Sequence, residues 1–425
     1  MKSLVLFFSL VIFSNTLSAE TISNISSGDT SWILASTSLV LLMTLPGLAL
    51  FYAGMVQSKN VISVISQHFG IACLMSIIWV ILGYTLAFSG EGKFLGDFNK
   101  TFLSNINQNS EVGTIPEFLF VIFQMTFAII TPALIIGTYV ERIKFSAVLV
   151  FSALWLIFVY APVTHWVWGG GFLADLGVKD FAGGIVVHTT AGIAALVMAL
   201  VLGKRISFEN NSNVLPHSPN LTFIGASLLW VGWFGFNGGS ALAANSNASS
   251  AILVTHIAAS MGAMSWCFIE WTKYGKPSLI GMVTGMVAGL ATITPASGFV
   301  GVPGGLILGL FGGVICYFAV DLIRNKLRID DSLDVFAVHG VGGILGTILC
   351  AILMSPYFSG VGYDEGISLI NQLFVQIKSV IIVSVWTIIF TYIILKIISI
   401  SIGLRVSYEE ETEGLDISSH GEQEN

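Results

Sequence analysis

The chain has 425 residues, of which 55% are hydrophobic and only 10% charged, and its mean hydropathy is +0.87. A soluble domain carries about 25% charged residues, so this composition excludes a water-soluble enzyme or nucleic-acid binder and, over most of its length, a disordered chain. The net charge of −7 comes largely from the C-terminal end, where seven acids between Glu409 and Glu424 have no Lys or Arg among them.

Residues 1–19 read as a secretory signal. Lys2 supplies the positive start, and residues 4–13 form an apolar run too short to cross a bilayer core of about 30 Å. Ser18-Ala19 before Glu20 offers a cleavage point, although Leu17 sits where a small residue is preferred. The alternative is an uncleaved short anchor.

Eleven apolar runs follow, each near the length of about 20 residues that a span needs. They cover 31–56, 61–89, 117–139, 145–165, 182–202, 220–240, 248–271, 279–295, 303–323, 335–355 and 372–402. The expected fold is an all-α polytopic membrane protein. Lys and Arg mark the cytoplasmic side. The segments after the odd-numbered spans hold 11 of them (Lys59, Arg142, Lys144, Lys204, Arg205, Lys273, Lys276, Arg324, Lys326, Arg328, Arg405). Those after the even-numbered spans hold 3 (Lys93, Lys100, Lys179). This alternation predicts an external N-terminus and a cytoplasmic C-terminus. The short connections leave no room for a soluble domain, so function must lie within the membrane. The tail, 403–425, reads by composition as a solvated, disordered acidic segment. The four cysteines sit in apolar runs, form no CxxC, and read as small buried hydrophobes.

Ionisable groups inside spans are costly and mark function. His68, His165 and His256 read best as hydrogen-bonded structural residues. His188 and His339 stand apart by their surroundings, Asp180-Phe-Ala-Gly-Gly-Ile-Val-Val-His188 and Asp334-Val-Phe-Ala-Val-His339-Gly-Val-Gly-Gly. The fifth span enters from outside and the tenth from inside. Similar motifs entered from opposite sides suggest an inverted repeat, spans 1–5 against 6–10, with a site near the midplane. The pattern alone leaves open whether the histidines meet or are two separate core residues. Trp166 and Trp168 read either as an interfacial aromatic belt or as a π face over a cation entrance. Phe123, Phe127, Trp233 and Phe236 read as core packing in the absence of other information.

These residues together resemble the Amt/MEP/Rh superfamily of ammonium transporters, bacterial Amt branch. The most specific segments are Asp180-FAGGIVVHTTA-Gly192, Trp233-FGFNGG-Ser240, Asp334-VFAVHGVG-Gly343, Gly403-LR-Val406, Glu413-GL-Asp416 and Ser419-HG-Glu422. The resemblance covers essentially the whole chain after the signal. It implies eleven helices in two inverted five-helix halves plus a final long helix. It implies an outer ammonium recruitment site of Trp168, Phe127 and Ser240, with Phe123 nearby, and a stacked phenyl gate of Phe127 and Phe236. It further implies paired pore histidines, His188 and His339, Trp233 lining the inner pore, and Asp180 as a mainly structural acid near the outer site. Ammonium or ammonia is the implied substrate, with methylammonium also accepted. The chain is implied to be a homotrimer of the bacterial inner membrane, whose 403–425 tail docks a PII-type nitrogen-regulatory protein. No enzyme activity and no cofactor are expected. An ammonium sensor, a passive ammonia channel, a haem- or metal-ligating redox protein and a pore of another family remain the competing readings.

Overall fold

The computed structural model describes residues 24–211 and 215–423; the signal segment expected at 1–19 falls outside them. Among the described residues, eleven helices are long and apolar enough to cross a membrane. They are α1 (Ser27–Met55), α2 (Ser58–Phe88), α3 (Glu117–Tyr139), α4 (Phe145–Asp175), α5 (Gly184–Leu202) and α6 (Pro219–Gly238), then α7 (Ser246–Tyr274), α8 (Leu279–Ala296), α9 (Val302–Lys326), α10 (Phe336–Leu353) and α11 (Leu369–Ser401). All eleven expected spans are therefore present, including the short, glycine-rich eighth. The longest, α11, has 33 residues and starts from a Ser368 cap.

Packing between these helices uses small residues, as it must where lipid offers no hydrophobic drive to association. The crossing of α5 and α10 is one close case. A Cβ on Gly192 would stand 2.2 Å from Gly340 Cα, so Gly192 requires glycine, while one on Gly340 would meet the Phe336 ring at 2.7 Å. The helices approach from opposite ends, which brings their N-terminal turns together at the centre. Those turns are π-helical, at Gly184–Thr189 and Phe336–Gly340. A third π-helical turn, Phe234–Gly238, ends α6. Such turns widen a helix locally and re-aim a side chain.

One face of the bundle carries a buried charge network. Arg142 is fully buried and donates to the backbone oxygens of Gly203 and Asp330 and to Ser332 Oγ. Arg205 forks onto Asp330 and also reaches Glu141 Oε2 at 2.8 Å. Buried charges must be paired in this way to be tolerated. The network ties together the α3–α4, α5–α6 and α9–α10 connections.

The tail folds onto the same face, contrary to the composition-based expectation. Tyr408–Glu413 is a helix started by a Ser407–Glu410 capping box. Glu411 pairs with Arg405 at 2.7 Å, and Asp416 Oδ1 accepts the Ser63 amide at 2.7 Å. Leu415 N donates to Asn60 Oδ1 at 2.9 Å. Composition could not show this, because Glu411 and Asp416 also accept the amides of Ile206 and Ser63, both distant in sequence. On the opposite face, the 89–116 connection carries a small hairpin, β1 (Glu111–Val112) with β2 (Ile115–Pro116). Cys267, Cys316 and Cys350 are buried as expected, whereas Cys73 lies exposed on α2.

Candidate functional site

Two vestibules and a narrow lumen lie along one path through the bundle. The first vestibule, on the side that the basic residues predict to be external and so termed outer, is a cavity of about 290 Å³ bordered by Phe127, Trp168, Ser240 and Gln124, with Phe88, Phe120, Phe181 and Leu242. Trp168 follows Val167, where the main helical run of α4 stops, and its indole N–H donates to Asp180 O at 2.8 Å. That bond fixes the ring edge-on to Phe127, with centroids 5.8 Å apart at 88°. Ser240 Oγ donates to Phe236 O at 2.8 Å, which leaves its lone pairs free to accept. Phe123 packs against Phe127, 5.1 Å between centroids; it is fully buried and is not among the residues that border the vestibule. Sequence reading missed Gln124, the one amide there, because a lone Gln in an apolar helix carries no motif.

Below the vestibule Phe127 and Phe236 stack, with centroids 4.4 Å apart at 28°. Each is 1% exposed, so the pair closes the path. Next comes a narrow space of about 10 Å³ bordered by Phe236, Trp233, His188 and His339 among apolar side chains such as Leu134 and Val287. His188 and His339 meet there. Their Nδ1 atoms are 3.2 Å apart and their rings nearly parallel, 15° between planes. At that distance one Nδ1 carries a hydrogen and the other accepts it. Trp233 stacks on His188 at 5.5 Å and is itself held by Thr294 Oγ1, 2.9 Å away. The buried Nε2 of His188 has no partner among the described residues. Gly343 allows this approach: a Cβ there would meet His188 Cβ at 2.6 Å. Phe236, His188 and His339 each sit on one of the three π-helical turns described above.

The second vestibule, about 110 Å³, begins at His339 and is bordered by Tyr52, Thr284, Arg324, Ser332 and Asp334. His339 thus borders both spaces, and His188 only the lumen.

Asp180 does not face the outer cavity as a free acid. Its Oδ1 accepts the amides of Gly183 and Gly184, and its Oδ2 those of Ile185 and Val186, at 2.6–3.1 Å. It caps α5 and orients the turn that bears His188. Burial pushes its carboxyl above the ordinary value, against the pull of those four amides. The equivalent acid on α10 is Asp331, not Asp334 as the sequence comparison suggested. Asp331 Oδ2 accepts the Phe336 amide at 2.6 Å, five residues on, as Asp180 Oδ2 accepts Ile185. Both caps lie eight residues before their histidine, a spacing that was the available signal. Of the other histidines, His68 contacts Val64 O and His165 contacts Ala87 O and Gly92 O, so both are locally tied. His256 packs on Trp230, 5.1 Å between centroids.

A multi-pass helical membrane protein with an internal path, closed by aromatics and bordered by paired imidazoles, is the class that this architecture defines. The chain matches the model of the Ammonium Transporter Family over residues 31–425 and belongs to that family. It is similar to a putative ammonium transporter of Methanothermobacter thermautotrophicus, 47% identical over 405 residues that cover 94% of this chain and 98% of that one. Among solved structures it is similar to Candida albicans Mep2, with TM-score 0.83, 33% identity, and 91% and 88% of the two chains covered. It is also similar to a structure described as a Sensor Amt Protein, with TM-score 0.86, 29% identity, and 92% and 98% covered. The family is one of transporters and not of enzymes.

Proposed function

We propose that this protein takes up ammonium at the outer vestibule, strips its proton, passes ammonia between His188 and His339, and carries the proton through the same pair. One positive charge then crosses per cycle. The observation that carries this reading is the order along one path: an aromatic vestibule, a closed phenyl pair and a hydrogen-bonded imidazole pair.

Ammonium and potassium are similar in size, so chemistry has to discriminate between them. The faces of Trp168 and Phe127 attract a cation by about 0.5–2 kcal/mol each. Ser240 Oγ accepts an N–H that potassium does not possess. The phenyl pair excludes the water that a bare cation would need, at a cost of several kcal/mol. Desolvation also lowers the pKa of an amine, which favours crossing as ammonia.

The imidazole pair suits proton transfer. The ring that donates from Nδ1 has a free lone pair on Nε2; the ring that accepts at Nδ1 holds its hydrogen on Nε2. A proton arriving at the first Nε2 moves the shared Nδ1 hydrogen across and releases the second Nε2 hydrogen. Each passage inverts both tautomers, so a tautomer reset completes the cycle.

We further infer that the N-terminal end of α1 is external and the tail cytoplasmic in a bacterial inner membrane, supported by the 11-to-3 distribution of basic residues. The family resemblance supports a homotrimer, methylammonium as a second substrate, and a PII-type protein docking at the tail face.

Ammonium-evoked current in proteoliposomes, with a potassium pulse as control, tests this function. A current for ammonium alone is expected, lost in His188→Ala while ammonium still binds at the outer site. Unchanged charge movement in that variant would refute the relay. Internal alkalinisation without current would identify a passive ammonia channel. Neither signal, with ammonium binding intact, would favour a sensor, the role in the description of one similar structure.

A further inference from the structure

We propose that Asp334 is the proton-exchange group at the inner end of the path, where its carboxyl protonates departing ammonia and so forms the ammonium that is released. The assignment rests on the transport function proposed above.

Asp334 is left over once the inverted halves are aligned through their caps. Asp331 performs on α10 the task of Asp180 on α5, and Asp334 caps nothing. Its backbone holds φ at 59°, a left-handed value costly for a residue other than glycine. That geometry sets the side chain at the second vestibule, which His339 and Thr284 also border. Its Oδ1 is buried with no hydrogen-bond partner among the described residues. Its Oδ2 has one cation nearby, Arg324 Nη1, at a loose 3.7 Å. An acid held this way, on a cavity that His339 also borders and short of donors, is equipped to exchange a proton.

The groups around it set its titration. Arg324 of α9 and Arg205 of the α5–α6 connection favour its anion, while Asp330 and Asp331 of its own connection oppose it. His339 of α10 and Tyr52 of α1 border the same cavity. Burial, the largest influence, brings its pKa to about 7. In the step, the carboxyl O–H bond breaks and an N–H bond forms on ammonia, giving ammonium and the Asp334 carboxylate facing Arg324. The carboxylate regains its proton from the imidazole pair, and that transfer closes the proton's path across the barrier.

The test is ammonium-evoked current at a fixed ammonium concentration, with equal pH on both sides, stepped from about pH 5.5 to about pH 8.5. The parent current is expected to fall as pH rises through the titration of Asp334, because the donor form is lost. Asp334→Asn should lose that pH-dependent component. Arg324→Gln removes a group that lowers the Asp334 pKa, so its fall should shift to higher pH. An Asp334→Asn profile equal to the parent's would overturn the assignment alone, as would an unmoved midpoint in Arg324→Gln, the variant that decides if Asp334→Asn does not fold. A parent without current at any pH would remove both this assignment and the function beneath it.

Discussion

Gly343→Ala is the sharpest single perturbation of the histidine pair, because it touches neither imidazole. The added Cβ would stand 2.6 Å from His188 Cβ and 2.7 Å from Gly184 O. Ordinary contact begins at 3.4 Å, so α5 must recede from α10 by about 0.8 Å, at a cost of about 1–3 kcal/mol for overpacking. Gly343 follows His339 by one turn and faces the same neighbour, so the displacement opens the Nδ1–Nδ1 distance. Added to 3.2 Å, it gives about 4.0 Å, beyond hydrogen-bond range. Such a bond contributes about 0.5–1.5 kcal/mol, which corresponds to a loss of about two- to tenfold in transport rate. The assay is ammonium-evoked current from purified, monodisperse variant, paired with its melting temperature and with binding at the outer site. A lower melting temperature, unchanged binding and reduced current are expected. Parent-like current from a folded variant would show that the bond between the rings is not needed for conduction.

Three further outcomes follow from the same geometry. Trp168→Leu should raise the ammonium concentration for half-maximal current by about two- to thirtyfold, the equivalent of about 0.5–2 kcal/mol of cation–π attraction, with maximal current preserved; an unchanged half-saturation would remove Trp168 from recruitment. Burial works against the anions of Glu141 and Asp330, but Arg205 beside both holds their carboxyls below the ordinary values. A depressed carboxyl contributes stability that is present above its unfolded pKa and lost as pH falls through the folded one. The melting temperature should therefore drop on acidification below about pH 4, and Arg205→Gln should lower it already at neutral pH, since it leaves buried carboxylates unpaired. Truncation before Gly403 removes the Glu411 and Asp416 contacts and should alter transport or PII association; measuring both unchanged would leave the tail without a regulatory role.

The eleven spans, their alternating charge and the separation of two histidine motifs were legible because each is local. A run of about 20 apolar residues declares itself wherever it packs, and basic residues accumulate beside it for reasons of insertion. The resemblance extended that reading to the site, and the structure sets Trp168, Phe127, Ser240, Phe236, His188 and His339 along one series of cavities. Phe123 did not follow, since a benzyl group one helical turn from Phe127 has the same sequence signature whether it borders a cavity or packs behind its neighbour.

Contacts across the chain were a different matter. His188 and His339 are 151 residues apart, and no local pattern states that their nitrogens meet. The glycine crossings at Gly192, Gly340 and Gly343 allow that approach, and a glycine's value is set by the atoms opposite it. Which aspartate serves as a cap and which faces the inner vestibule was likewise decided by the turn of the chain at Asp334. The acidic tail, solvated by composition, is ordered because Asn60, Ser63 and Arg405 stand where its acids and amides fall. Composition and periodicity thus determined eleven apolar spans, and the basic residues predicted a side for each connection. Tertiary structure alone decided which polar atoms lose water together, as the facing imidazoles of His188 and His339 do.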